Sequence, residues 1–171
     1  MRVALTGTPG VGKTTLSKVA AADGWSVLDL KAWAAQEGCV VGWDEEDQAE
    51  VVDVKRLAKR VRPDDGSKLL VEGHLSHLLP LDAAWVVRAD PKTLATRLEA
   101  RGYPDRKVRE NMEAEALDII LQEALERHPA RLVQRDGTRR SPQELYKSFA
   151  DVRLESLKRP DLEPVDWTDR L

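Results

Sequence analysis

The chain has 171 residues, a formal net charge of -3 and 33% charged residues, enough for one full core and too short for two ordinary domains. Its pI near 5.7 excludes a global basic footprint, so any nucleic-acid contact would be local or come through a partner. The one cysteine, Cys39, excludes an intramolecular disulfide, no Cys/His cluster suggests zinc, and no stretch approaches the roughly 18 apolar residues of a membrane span.

Met1 leads straight into a short apolar strand, Val3-Ala4-Leu5, with no signal peptide, and a cytoplasmic protein is expected. Directly after the strand comes Gly7-Thr8-Pro9-Gly10-Val11-Gly12-Lys13-Thr14-Thr15, a full match to G-x-x-x-x-G-K-[ST]. Gly10 and Gly12 open backbone conformations that aim successive N–H groups at phosphate oxygens. Lys13 then reaches the β- and γ-phosphates, and Thr14, opening the next helix, offers its hydroxyl to Mg²⁺. A glycine-rich turn that binds nothing is the alternative. Leu16, Val19 and Ala20 form the apolar stripe of that helix, which Gly24 ends.

Trp25 to Leu28 predicts a second strand, and Asp29 to Glu37 a helix stopped by Gly38. From Gly38 to Glu50 regularity is lost, and the stretch ending in Asp44-Glu45-Glu46-Asp47 reads as an irregular excursion over the cleft. Asp53 can cap a helix carrying Val54, Leu57, Ala58 and Val61, closed by Pro63 before a turn at Asp64-Asp65-Gly66. Lys68 to Glu72 and Ala83 to Arg88 predict buried strands. Asp90 and Pro91 then open a helix that runs to Arg101 and stops at Gly102. Lys107 to His128 predicts one longer helix with Val108, Met112, Ile119, Ile120 and Ala124 roughly on one face. Arg131 to Gln134 predicts a last strand, Ser141-Pro142-Gln143-Glu144 a capped helix start, and residues from Asp161 onward stay unassigned. The alternation implies an α/β fold: five parallel strands, helices on both faces, and the glycine loop at the carboxyl edge.

A phosphoryl-transfer site needs an acid near Mg²⁺, cations that follow the moving group, and exclusion of water. Glu72 ends an apolar strand where it could hold Mg²⁺ through a water; a carboxylate capping a turn is the alternative. His74 would point from the same cleft edge and orient a water or attacking oxygen, or else serve as a local hydrogen-bond donor. His77 and His128 have no comparable setting. Arg97 and Arg101 share a helix face just before Gly102-Tyr103-Pro104, a break where a cover could hinge. Arg106, Lys107 and Arg109 extend that cluster, and a solvated, salt-bridged face is the alternative for all five. Trp43 could stack on a second base or fill a core.

The chain resembles the small adenylate-kinase-like ATPases known as adenylate kinase isoenzyme six, or coilin-interacting nuclear ATPase, and their archaeal relatives. The resemblance rests on Leu5 to Thr15, on Gly42-Trp43-Asp44-Glu45-Glu46, on Val71-Glu72-Gly73-His74, and on Arg97-Leu98-Glu99-Ala100-Arg101-Gly102-Tyr103. It implies a P-loop nucleoside-monophosphate-kinase fold in one domain over 1–171, with a monophosphate-binding segment about 29–52 and a lid about 100–110. It also implies reversible phosphoryl transfer between ATP and AMP, an ATPase activity with Mg²⁺, and a role in late maturation of the small ribosomal subunit. The implied partners are a ribosomal protein of the subunit's platform and, indirectly or locally, ribosomal RNA, with no membrane. By position, Gly10, Gly12, Lys13, Thr14 and Thr15 would hold ATP, Arg101 would contact its phosphates, and Glu72 and His74 would match the second motif. Several relatives carry Asp at the position of Glu72, and the match weakens after His128. An ATP-driven assembly switch, with kinase turnover incidental, and a kinase for another small metabolite are the other readings.

Overall fold

The computed structural model describes residues 1–46, 49–62 and 65–170. Strand β1 (Arg2–Thr6) sends Val3 and Leu5 into one core and Ala4 into another, all fully buried. The period-two alternation thus divides the hydrophobic residues between two sheet faces. The chain continues through α1 (Lys13–Ala22), β2 (Ser26–Asp29) and α2 (Leu30–Gln36), whose N-terminus is capped by the Asp29 carboxylate accepting from the Ala32 N–H at 2.7 Å. Next come β3 (Val40–Asp44), β4 (Ala49–Val52), the short α3 (Val54–Ala58), β5 (Leu69–Glu72) and β6 (Ala83–Arg88). Helices α4 (Pro91–Glu99), α5 (Asp105–Ala116) and α6 (Ile119–Arg127) lead to β7 (Leu132–Asp136), α7 (Pro142–Ala150) and the two-residue β8 (Asp161–Leu162).

The main sheet has the order β2-β5-β1-β6-β7-β8, and every pairing in it is parallel. Its neighbours β5 and β6 flank β1 on opposite sides, which puts a topological switch point at the carboxyl end of β1. On one face Trp85 stacks on Phe149 at 5.1 Å and meets Trp25 at 5.3 Å, tying α7 to the sheet. On the other face Leu30, Leu57 and Leu121 pack over Ala84 and Val86.

Several expectations change. The sheet has six strands rather than five, because the tail residues Asp161–Leu162 pair with Val133 and Gln134 at the edge. The stretch expected to be irregular holds an antiparallel hairpin, β3 with β4. A register shift between Val40 and Gly42 breaks the alternation that would have shown it. The single long helix expected from Lys107 to His128 is two, α5 and α6. They part at Asp118, a non-glycine residue at φ 59. The break is held by Arg88, which donates through Nη2 to the Glu115 carbonyl at 2.7 Å and to Asp118 Oδ1 at 2.5 Å. Ile119 is accordingly exposed. Helix α3 stops at Ala58, before Val61. Asp47, Pro63 and Asp64, which the sequence reading placed in an acidic run, a helix stop and a turn, lie outside the described residues.

Candidate active site

The glycine loop leaves β1 at the switch point and returns as α1. Gly12 is the N-cap of α1 at φ 106, where a side chain would be strained, and no side chain caps the helix. Gly10, at φ +93, is closed from behind as well, since a Cβ there would stand 2.7 Å from Leu94 Cδ1. The apolar face of α4 therefore presses on the back of the loop. The same helix turns Arg97 toward it, and Nη1 reaches the Gly10 carbonyl at 3.4 Å.

Lys13 curls back over the loop, donating to the carbonyls of Gly7 at 2.7 Å and Thr8 at 3.1 Å. Burial lowers its pKa to about 8, and the Arg101 charge adds to this, while Glu72 and Glu115 act in the opposite sense. The ammonium is thus held largely charged at neutral pH in a setting that would welcome further anions.

Glu72 ends β5 and is 8% exposed. Its two oxygens accept from the hydroxyls of Thr14 at 2.7 Å and Ser17 at 2.9 Å, the second and fifth residues of α1. Among the described residues no group of three or more His, Cys, Asp or Glu side chains could hold a metal ion. The hard oxygens of Thr14 and Glu72 nonetheless fit Mg²⁺, which takes few protein ligands and fills its octahedron with water and phosphate oxygens.

His74 lies at the cleft mouth with its side chain exposed. Crowding by the surrounding protein lowers its pKa, the charges of Lys13, His77 and Lys107 lower it further, and the imidazole is neutral at pH 7. Beneath it runs a chain the sequence did not reveal. His77, fully buried, shares a 2.8 Å hydrogen bond with the Thr6 hydroxyl at the end of β1. Its other ring nitrogen meets Glu123 at 3.0 Å, and His128 bonds its carbonyl at 3.0 Å. The sequence shows no setting for either histidine, because lone histidines in apolar stretches carry no signal of partners that lie 46 and 51 residues away.

Gly10, Gly12, Thr15, Arg97 and Arg101 line one cavity of about 390 Å³, which also takes in Arg140. Its far wall is Gly137 from the β7–α7 connection, with Pro142 and Leu145 from the start of α7. Sequence reasoning missed this wall, although Asp136-Gly137-Thr138 before a capped helix marked the turn that builds it. Arg106 lies elsewhere, paired with Glu110 on its own helix and with the Glu46 carbonyl at 2.7 Å. Trp43 is half exposed on β3 and is no part of the core.

Among the described residues no helix is long and apolar enough to cross a membrane. A family model described as an AAA domain matches residues 3–118. A Pyrococcus furiosus protein bearing the name "Putative adenylate kinase" is 41% identical over 98% of this chain and 92% of its own. Proteins of the same name from Archaeoglobus fulgidus and Natronomonas pharaonis are 40% and 37% identical, over 100% of this chain and 94% and 100% of theirs. Among solved structures, an uncharacterized Eubacterium ventriosum protein matches with a TM-score of 0.58 at 11% identity, over 88% of this chain and 96% of its own. A Thermus thermophilus protein matches with 0.52 at 20% identity, over 91% and 97%. These two share the fold. The P-loop at residues 7–15 and full-length identity near 40% place the chain, a nucleotide kinase, in the family these archaeal proteins form.

Proposed function

We propose that the protein is an adenylate kinase that moves the γ-phosphoryl group of ATP to AMP and also hydrolyses ATP. The observation that carries this reading is the single cavity where Gly10, Gly12, Thr15, Arg97 and Arg101 face one another. Beside it the Lys13 ammonium and the Thr14–Glu72 pair lie at the root of the same loop. The names of the archaeal relatives support AMP as acceptor.

On this reading the loop amides and Lys13 hold the triphosphate, with Lys13 leaving the Gly7 and Thr8 carbonyls for phosphate oxygens. Thr14 and Glu72 would hold Mg²⁺, which would supply positive charge to neutralise the triphosphate. Arg101, with Arg97, turns its guanidinium onto the transferring group from the lid at 100–110. His74, neutral at pH 7, orients the attacking oxygen. Segment 29–52, which contains α2 and the β3–β4 hairpin, receives the monophosphate.

The second reading, an ATP-driven switch acting on a basic ribosomal protein during small-subunit maturation, draws on the hairpin. There the exposed Val41, Trp43 and Val51 stand beside the exposed acids Asp44, Glu45 and Glu46. Purified protein with Mg-ATP, with and without AMP, separates the two. Consumption of AMP with at least two ADP formed per AMP, any excess matched by released phosphate, supports the kinase, while ATP loss with AMP untouched overturns it in favour of the ATPase.

A further inference from the structure

Thr8 looks like a neutral position in the glycine loop, one of four variable residues between the first glycine and Gly12-Lys13. In the structure Thr8 is 1% exposed and its hydroxyl donates to Glu115 Oε2 across 107 residues of sequence. Glu115, 2% exposed, lies in the last turn of α5, the helix that follows the lid. Its other oxygen accepts from Arg88 Nε at 2.7 Å and from the Ala89 N–H at 3.0 Å. Arg88 is also 2% exposed, and the Trp167 ring of the C-terminal tail covers its guanidinium at 5.1 Å.

We infer that Glu115 is a positioning residue for the phosphate loop. Anchored from below by Arg88 and the Ala89 amide, it holds Thr8 and so sets the Gly7 and Thr8 carbonyls from which Lys13 is launched. The geometry makes the argument. Those two carbonyls are the atoms that Lys13 Nζ contacts, so a rotation of Thr8 moves the ammonium with it. A carboxylate can serve here only because Arg88 neutralises it; a bare acid so near the triphosphate would repel it. Glu115 also joins two moving parts, since the lid loop at 100–104 enters α5 and Glu115 fixes the far end of that helix to the loop. The carboxylate thus gives the lid and the phosphate loop a common anchor.

The inference rests on the reading of residues 7–15 as an ATP site, and the test separates the two. Thr8→Val keeps the shape and leaves the Glu115–Arg88 pair in place, removing one hydrogen bond to a charged group. Nucleotide turnover and ATP binding are compared for Thr8→Val, Thr8→Ser and Lys13→Ala, well below the melting temperature of each. The expected result is about tenfold weaker ATP binding and at least tenfold lower kcat for Thr8→Val, with an unchanged KM for AMP. Thr8→Ser, which keeps the hydroxyl, returns both to within about twofold. Kinetics of Thr8→Val within about twofold of wild type, with only the melting temperature lowered, would make the contact structural and overturn the inference. Should Lys13→Ala bind ATP normally, the ATP-site reading itself fails. If Thr8→Val is insoluble, Glu115→Asp provides the same readout, because it keeps the charge for Arg88 while withdrawing the carboxylate from Thr8.

Discussion

Replacing Glu72 by Gln distinguishes an acid that serves chemistry from one that merely braces a helix. The carboxylate is buried and accepts from two hydroxyls, Thr14 at 2.7 Å and Ser17 at 2.9 Å. Glutamine has nearly the same shape but one acceptor oxygen, so one of the two hydroxyls must turn away. The surviving bond also loses its charge assistance, worth about 1 kcal/mol, and an unsatisfied partner adds roughly 1–2 more. A loss of about 1–3 kcal/mol lowers the melting temperature by about 2–4 °C for each kcal/mol in a chain of this size.

If Glu72 only ties α1 to β5 through those hydroxyls, that thermal shift is the whole effect, and kcat at 25 °C is retained. If it holds Mg²⁺ through a water, charge is missing where the transition state needs it, and kcat falls by about 10²–10³. The free Mg²⁺ needed for half-maximal rate rises in parallel. A coupled assay of ADP formation across a Mg²⁺ titration reads both quantities. A variant that melts a few degrees early but keeps kcat within about threefold, with an unchanged Mg²⁺ requirement, refutes the catalytic reading of Glu72.

Lys13→Ala is expected to abolish both transfer and hydrolysis while the fold persists, as circular dichroism would show; retained turnover sinks the site. His74→Ala is expected to cut hydrolysis by about 10² with ATP affinity near normal, measured by nucleotide titration, whereas equal losses in both mark a structural role. Gly10→Ala places a methyl group 2.7 Å from Leu94 Cδ1 at φ +93. It is expected to destabilise by about 2–4 kcal/mol, seen as a lower denaturant midpoint with an unchanged slope. His77 and His128 have pKa values lowered by burial, so the unfolded chain binds more protons than the folded one below about pH 6.5. Stability is therefore complete above that pH and falls toward pH 5, at up to about 1.4 kcal/mol per pH unit for each proton. A melting temperature flat from pH 7 to 5 contradicts this, and His77→Gln is expected to shallow the slope.

Much of the fold was legible because its signals are local. Val3-Ala4-Leu5, the glycine loop, Asp29, Asp90-Pro91 and the Ser141–Glu144 capping box all declare their roles within a few residues, and each begins or ends an element where expected. What stayed hidden depends on distant partners. The break at Asp118 exists because Arg88, 30 residues earlier, supplies hydrogen bonds that an unbroken helix would leave unmade. The sixth strand exists because β7 leaves an open edge that Asp161–Leu162 can occupy. The hairpin was masked by its own register shift. In the site, residues on the motifs were readable, whereas His77, Glu115 and the Gly137 wall reach it only through tertiary contacts.

The three polar anchors of the loop share one logic. Lys13 donates to loop carbonyls, Thr14 to Glu72, and Thr8 to Glu115. On the proposed function the first two donors are ones a ligand can take over, since phosphate oxygens would receive the ammonium and Mg²⁺ would take the Thr14 hydroxyl oxygen. The third is not replaceable, because Glu115 is sealed behind the loop by Arg88 and Trp167. On that reading the exchangeable contacts hold the side chains near their working positions, and the fixed one holds the backbone that carries them. Less conformational entropy would then be lost when ATP binds, leaving more of the binding energy for closing Arg97 and Arg101 over the phosphates.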